Sequence, residues 1–150
     1  HVITEKTEYG YPQAVSTAIR ELKRIGASGV IVIPIDIPQL SPKLIDNILT
    51  NTASPGVTIV PARMDGGTNL LAMRPCDLMP PLFGQDSMAR HSAAARDAGV
   101  EPLVFTSRIA GQDLDRPDDL LDFLTLNSPT RAHRYLAGLA LSRRRRVQLA

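Results

Sequence analysis

The apolar positions of this chain change their period along its length. Val15, Ala18, Ile19, Leu22 and Ile25 recur at spacings of three and four, which puts them on one face of a helix. Pro12 is tolerated in a first turn and Gly26 is a stop, so a helix is predicted over 12–25. The pattern then becomes continuous. Gly29-Val-Ile-Val-Ile-Pro-Ile-Asp36 is the most apolar run in the chain, and a β-branched run closed by a turn signal predicts a strand over 29–35 buried on both faces. Ser41-Pro42 is an N-cap and N1 pair, opening a helix to about residue 50 with Leu44, Ile45, Ile48 and Leu49 inward. Beyond the Ser54-Pro55-Gly56 turn, strands are expected over 57–61 and 69–73, with a loop at 64–67 between them. Three prolines keep 75–81 irregular. An alanine-rich helix is predicted from Asp86 or Ser87 to Gly99, then a strand over 103–106. Helices over 117–126 and 130–141 follow. No internal repeat is visible. Alternating helices and strands predict an α/β fold with a mainly parallel sheet flanked by helices. The chain opens with a helix, and nothing before Glu8 resembles the phosphate-binding turn that starts many doubly wound folds.

At 150 residues the expectation is one domain, over 1–142, followed by a basic tail at 143–150. No apolar run reaches the roughly 18 residues of a membrane span. His1-Val2-Ile3-Thr4-Glu5-Lys6 lacks the apolar stretch of a signal peptide. The lone Cys76 has no partner for an internal disulfide. Together these features point to the cytoplasm. The net charge of +2 conceals an asymmetry: 131–150 carries six arginines and no acid, which leaves 11 basic against 15 acidic residues elsewhere. An acidic body suits a metal site better than a nucleic-acid groove.

Asp36 is the first candidate for chemistry. A carboxylate beside a buried strand loses hydration and needs a cation or donors in return, and the carboxyl ends of strands in open α/β sheets are where ligands bind. Asp113-x-Asp115, in a turn before a helix, can direct two more carboxylates to the same point. The three would form an oxygen site suited to Mg²⁺. The plainer alternative is that Asp36 shapes a turn and that Asp113 or Asp115 caps the helix at Pro117. Asp65-Gly66-Gly67-Thr68-Asn69 is either an anion-binding nest or a hairpin turn. Phe83-Gly84-Gln85-Asp86-Ser87 precedes a helix, whose N-terminus is either an anion site or simply capped by Ser87. His91, one turn further on, reads as a hydrogen-bonded packing residue before it reads as a catalyst. Arg143 to Arg146 read as a solvated end. No zinc spacing, Ser/His/Asp set or P-loop is present.

Four motifs occur in order: Asp36-x-Pro-x-Leu-Ser-Pro, Asp65-Gly-Gly-Thr-Asn, Phe83-Gly-x-Asp-Ser-x-x-x-His, and Asp113-x-Asp-x-Pro-Asp-Asp-Leu. Over about residues 8–138 this order resembles the 2-phospho-L-lactate and phosphoenolpyruvate guanylyltransferases of deazaflavin coenzyme (factor 420) biosynthesis. The resemblance implies a GT-A-like nucleotidyltransferase fold, and a reaction of GTP with a phosphorylated three-carbon acid that releases pyrophosphate. It implies Mg²⁺ as cofactor, held by Asp36, Asp113 and Asp115, which are also the catalytic set. Thr68, Gly84 and Ser87 would hold the acid, and Gly67 and Asn69 the nucleotide. No nucleic acid or membrane is expected as a partner, and a homodimer is a possible assembly. The family's opening strand and nucleotide loop have no counterpart ahead of Glu8, so the chain reads as N-terminally truncated and, alone, as inactive. Gly10-Tyr11-Pro12-Gln13-Ala14 also departs from the family's usual Gly-Leu-Asn-x-Ala near the guanine. A molybdenum-cofactor type of transferase with another acceptor, or a non-catalytic binding domain, are the competing readings.

Overall fold

The computed structural model describes residues 2–4, 10–126 and 128–139. The end expected for the last helix, the Arg143 to Arg146 run and Glu8 lie outside the described residues.

The amphipathic pattern at the start forms α1 (Tyr11–Arg24), with Pro12 in its first turn and Val15 and Ile19 buried. The apolar run that follows yields only a three-residue strand, β1 (Val30–Val32). Pro34 is the reason: it has no N–H for the ladder and cannot extend it. Asp36 therefore lies in a turn beyond the strand, between a fully exposed Ile35 and a buried Ile37. Ser41 caps α2 (Pro42–Asn51) by accepting from the Leu44 N–H at 3.3 Å. Then come β2 (Gly56–Pro61), β3 (Thr68–Arg74), α3 (Ser87–Asp97), β4 (Leu103–Val104), α4 (Pro117–Thr125) and α5 (Arg131–Gly138).

The sheet order is β1-β3-β2-β4. β3 runs antiparallel to both β1 and β2, and only β2 and β4 pair in parallel. The fold is mixed α/β, and the expectation of a mainly parallel sheet is corrected. A strand buried on both faces reads as a continuous apolar run whichever way it points. The direction is set by the connection: residues 62–67 are too few for a crossover, which needs about a dozen, so β2 and β3 form a hairpin. The hairpin reading of the Asp65-Gly66-Gly67 turn is thus the one observed. β1, expected to be buried on both faces, is an edge strand among the described residues, and its side chains are half-buried.

Side-chain alternation divides the core into two layers. Val57 and Ile59 of β2 and Leu71 and Met73 of β3 face α1 and α3, where Val15, Ile19, Phe83 and Ala95 cover them. Val60, Leu70 and Ala72 face the other way, against Ile37, Ile48 of α2 and Ala110. β2 and β3 are buried on both faces, and turns from four segments gather at the end where β2 stops and β3 starts. That end carries the candidate site.

Candidate functional site

An open pocket of about 230 Å³ lies at this end of the sheet. Asp36, Asp113 and Asp115, then Thr68, Gly84 and Ser87, then Gly67 and Asn69 all line it. The chain brings these residues there from four separate segments. Asp36 comes from the turn after β1, and Gly67 to Asn69 from the β2–β3 hairpin. Gly84 and Ser87 come from the entry to α3. Asp113 and Asp115 come from the loop before α4.

The hairpin turn is built locally. Asp65 Oδ1 accepts from the Gly67 N–H at 2.8 Å, and Ala62 N–H donates to Gly67 O at 3.0 Å. A Cβ on Gly67 would lie 2.8 Å from Asp65 Oδ1, so a larger residue there would push the Asp65 carboxylate aside. Asn69, expected to meet the nucleotide, lines the pocket and also holds the protein: Nδ2 donates to Ala110 O at 3.0 Å in a buried bond. That bond fastens the 107–112 turn to the start of β3. Arg63 N–H donates to Gly111 O at 2.9 Å and Gly111 N–H to Ser107 O at 2.8 Å, so the segment leading to Asp113 is tied at several points. Neither Asp113 nor Asp115 caps α4. Asp119 does, its Oδ2 accepting from Arg116 N–H at 2.9 Å. The capping alternative for the Asp113-x-Asp115 pair is thereby removed.

The entry to α3 differs from a simply open helix N-terminus. The helix begins at Ser87, and the residue before it, Asp86, is in the left-handed region (φ 51) with no side-chain cap. Ser87 N–H donates to Gly84 O at 3.2 Å, and Met88 N–H to Gly66 O at 3.1 Å. Two of the first-turn donors are therefore used, one to close the turn itself and one to join it to the hairpin. What faces the pocket is Gly84 (φ 117) and Ser87. Ser87 is buried.

Asp65 was missed as a site residue: it lines the pocket too, making a fourth carboxylate there. Its part in a turn motif masked it in the sequence. None of the described residues lining the pocket is cationic. Burial, then Asp115, Asp36 and Asp65, hold the Asp113 carboxyl above the usual carboxylate range. Asp115 is raised first by burial, then by the charge and hydrogen bond of Asp36, with Asp65 and Asp119 adding. Ionised carboxylates only accept, so two facing each other leave an oxygen without a donor. Asp36 Oδ1 is that oxygen, buried and without a hydrogen-bond partner. Among the described residues no three acidic, histidine or cysteine side chains form a ready-made metal cage. Mg²⁺ does not demand one, since it is ordinarily held by one or two carboxylates with waters and substrate phosphates. An orphaned buried carboxylate oxygen among like charges fits that mode of binding.

Aromatic residues wall the pocket. Tyr11 meets Phe83 edge-on at 5.1 Å, and Phe83 meets His91 edge-on at 4.9 Å. Tyr11 also lines the pocket, and burial followed by the charge of Asp36 raises its phenol pKa. His91 is fully buried, with Nδ1 at 2.9 Å from Thr68 Oγ1 and Nε2 at 2.8 Å from Leu82 N. The packing reading of His91 therefore holds. Burial, with the charge of Arg90 adding, lowers its pKa to about 4.

Residues 1–147 match the family described as "Guanylyl transferase CofC like". The phosphoenolpyruvate guanylyltransferase of Conexibacter woesei is 37% identical over 120 residues, which is 79% of this chain and 54% of that protein. The 2-phospho-L-lactate guanylyltransferase of Methanocaldococcus jannaschii is 30% identical over 139 residues, 92% of this chain and 60% of that protein. The 3-phospho-D-glycerate guanylyltransferase of Phenylobacterium zucineum is 33% identical over 93 residues, 62% of this chain and 43% of that protein. The chain thus spans about half the length of the curated relatives it matches. No helix among the described residues is long and apolar enough to cross a membrane.

Proposed function

The chain belongs to the CofC-like guanylyl transferase family, and on that premise we propose that its protein transfers GMP from GTP to a phosphorylated three-carbon acid, releasing pyrophosphate. The observation that carries the reading is the buried, donorless Asp36 Oδ1 in a four-carboxylate pocket that also holds Thr68, Gly84 and Ser87. Acid side chains without a counter-cation, in one pocket with polar groups fit for an anion, suit a metal-dependent reaction of two phosphorylated substrates. A GT-A-like nucleotidyltransferase fold is the architecture this reading carries.

Asp36, Asp113 and Asp115 would hold Mg²⁺, with Asp65 adding charge beside them. When bound, the ion supplies charge neutralisation at the phosphates and alignment of nucleophile and leaving group. Thr68 Oγ1, Ser87 and the backbone at Gly84 position the acid. Gly67 and Asn69 border the nucleotide side of the pocket. The attacking phosphate is already an oxyanion, so no side-chain base is required. The buried, neutral His91 accordingly takes no proton in this reaction.

The test is pyrophosphate release by the full-length protein with GTP and Mg²⁺. Phosphoenolpyruvate, 2-phospho-L-lactate and 3-phospho-D-glycerate are offered in turn, with Asp36→Asn as control. The expected result is release with one of the three acids and a loss of at least a hundred-fold (about 3 kcal/mol) in Asp36→Asn. An unchanged rate in Asp36→Asn rejects the metal assignment, and release with none of the acids rejects the reaction.

A further inference from the structure

We propose that His91 is a positioning residue that turns the Thr68 hydroxyl into a fixed hydrogen-bond donor aimed at an oxyanion of the bound acid; this rests on the functional reading above.

The backbone fixes the direction of the relay. Leu82 N–H can only donate, and it points at His91 Nε2 at 2.8 Å. A proton on Nε2 would set two donors against each other and orphan the amide. Nε2 is therefore the acceptor, and in a neutral ring the proton sits on Nδ1. Nδ1 lies 2.9 Å from Thr68 Oγ1, so the ring donates and the hydroxyl oxygen accepts. A hydroxyl that accepts along one direction turns its own proton along another. Thr68 lines the pocket beside Gly84 and Ser87, and the bond to His91 is its only side-chain hydrogen bond among the described residues. Its proton is thus held for a ligand in the pocket. The ring itself cannot swing, because it is fully buried and Phe83 packs edge-on against it. A hydrogen-bonded packing role accounts for the burial and for both partners; what the relay adds is a direction for the Thr68 proton, into the pocket that Thr68 lines.

The chain of bonds runs from backbone to ring to hydroxyl to ligand. Asn carries its amide where imidazole carries Nδ1, and Gln where it carries Nε2. His91→Asn can therefore still donate to Thr68, while His91→Gln can accept from Leu82 but not donate.

Two measurements on the full-length protein decide the matter. Nitrogen-15 NMR of the histidine ring at pH 7 is expected to show the neutral form protonated on Nδ1; the Nε2 form, or a charged ring, overturns the proposal whatever the protein binds. Titration of phosphoenolpyruvate and 2-phospho-L-lactate with Mg²⁺ present is expected to show binding on the order of ten-fold weaker in His91→Gln. His91→Asn should stay within about three-fold of the parent. In a Thr68→Val background His91→Gln should cost nothing further, because the hydroxyl it acts through is gone. An undiminished loss in that background, or equal losses in His91→Asn and His91→Gln, overturns it. If the unaltered protein binds neither acid, the functional reading fails, and the ring NMR still decides the tautomer on which the relay depends. Far-UV circular dichroism checks that each variant is folded.

Discussion

At the scale of the residue, His91 and the carboxylates respond to acid in opposite senses. His91 in the folded protein has a pKa of about 4 against an ordinary 6.5. Between those values the unfolded chain binds the proton and the folded one does not, so stability falls as pH drops from 6.5 to 4. The full loss is about 3 kcal/mol. Asp113 and Asp115 are raised instead. In the folded protein they hold protons more tightly, so each costs stability once it ionises and gives some back as pH falls through its raised value. Urea unfolding at pH 7, 5 and 4 should therefore show a net loss, and the His91→Gln variant should show a smaller one, left by carboxylates such as Glu21 and Glu101 whose arginine partners hold them below the usual range. Asp36 makes a companion case. Asp36→Asn supplies donors beside Asp115 and removes one like charge, so it should raise Tm in EDTA by about 3 °C. It should also abolish the further rise that Mg²⁺ gives the parent. A variant whose Tm still climbs with Mg²⁺ would place the ion elsewhere. The residues that line this pocket could be singled out in the sequence because four motifs occur in order, whereas Asp65 was hidden by its use in a turn. The roles of His91 and Asn69 were less legible, since a side chain's partner in a distant segment leaves no local signature.

At the scale of the element, the hairpin decides what the site looks like. β2 and β3 are joined by a turn whose own bonds fix Asp65 and Gly67, and Asn69 then reaches across to hold the turn before Asp113. Removing that reach leaves Ala110 O buried without its donor. Asn69→Ala should cost about 1–3 kcal/mol in urea unfolding, and it should loosen Mg²⁺ binding more than the acid. An Asn69→Ala protein with parental stability would mean that the 107–112 turn holds itself. Elements with a clear period were legible: α1, α2, β2 and β3 all appear within a residue or two of expectation. The β1 region was not. Its run from Val30 to Ile35 looks uniform, but Pro34 removes a ladder donor and Ile35 is left in solvent. Strand direction was also out of reach of composition, although the short 62–67 connection held that information once read as a length.

At the scale of the whole molecule, the site spans parts of unequal stability. β2 and β3 are covered on both faces by the two core layers. Asp65, Thr68 and Asn69 project from that unit, and Asp113 is tied to it. Asp36 is different: it follows β1, an edge strand with half-buried side chains among the described residues. β4 is exposed, and α5 buries no side chain fully, resting on α4 through the Phe123–His133 edge contact at 5.4 Å. Amide exchange should follow this order, slowest at 57–60 and 70–73 and fastest in α5 and β4. A ligand that joins Asp36 to Asp113 and Asp115 must hold the loosely supported turn against the rigid one. Adding Mg²⁺ with phosphoenolpyruvate should then slow exchange chiefly at 35–40 and 113–119, and change little in 57–60 and 70–73, which are already limited by global opening. The comparison is sharp because the two responding segments are far apart in sequence and both reach the pocket. Protection that rises in one segment alone would mean that the carboxylates do not share a cation. Protection that rises evenly over the whole chain would mean general stabilisation, with the pocket left open.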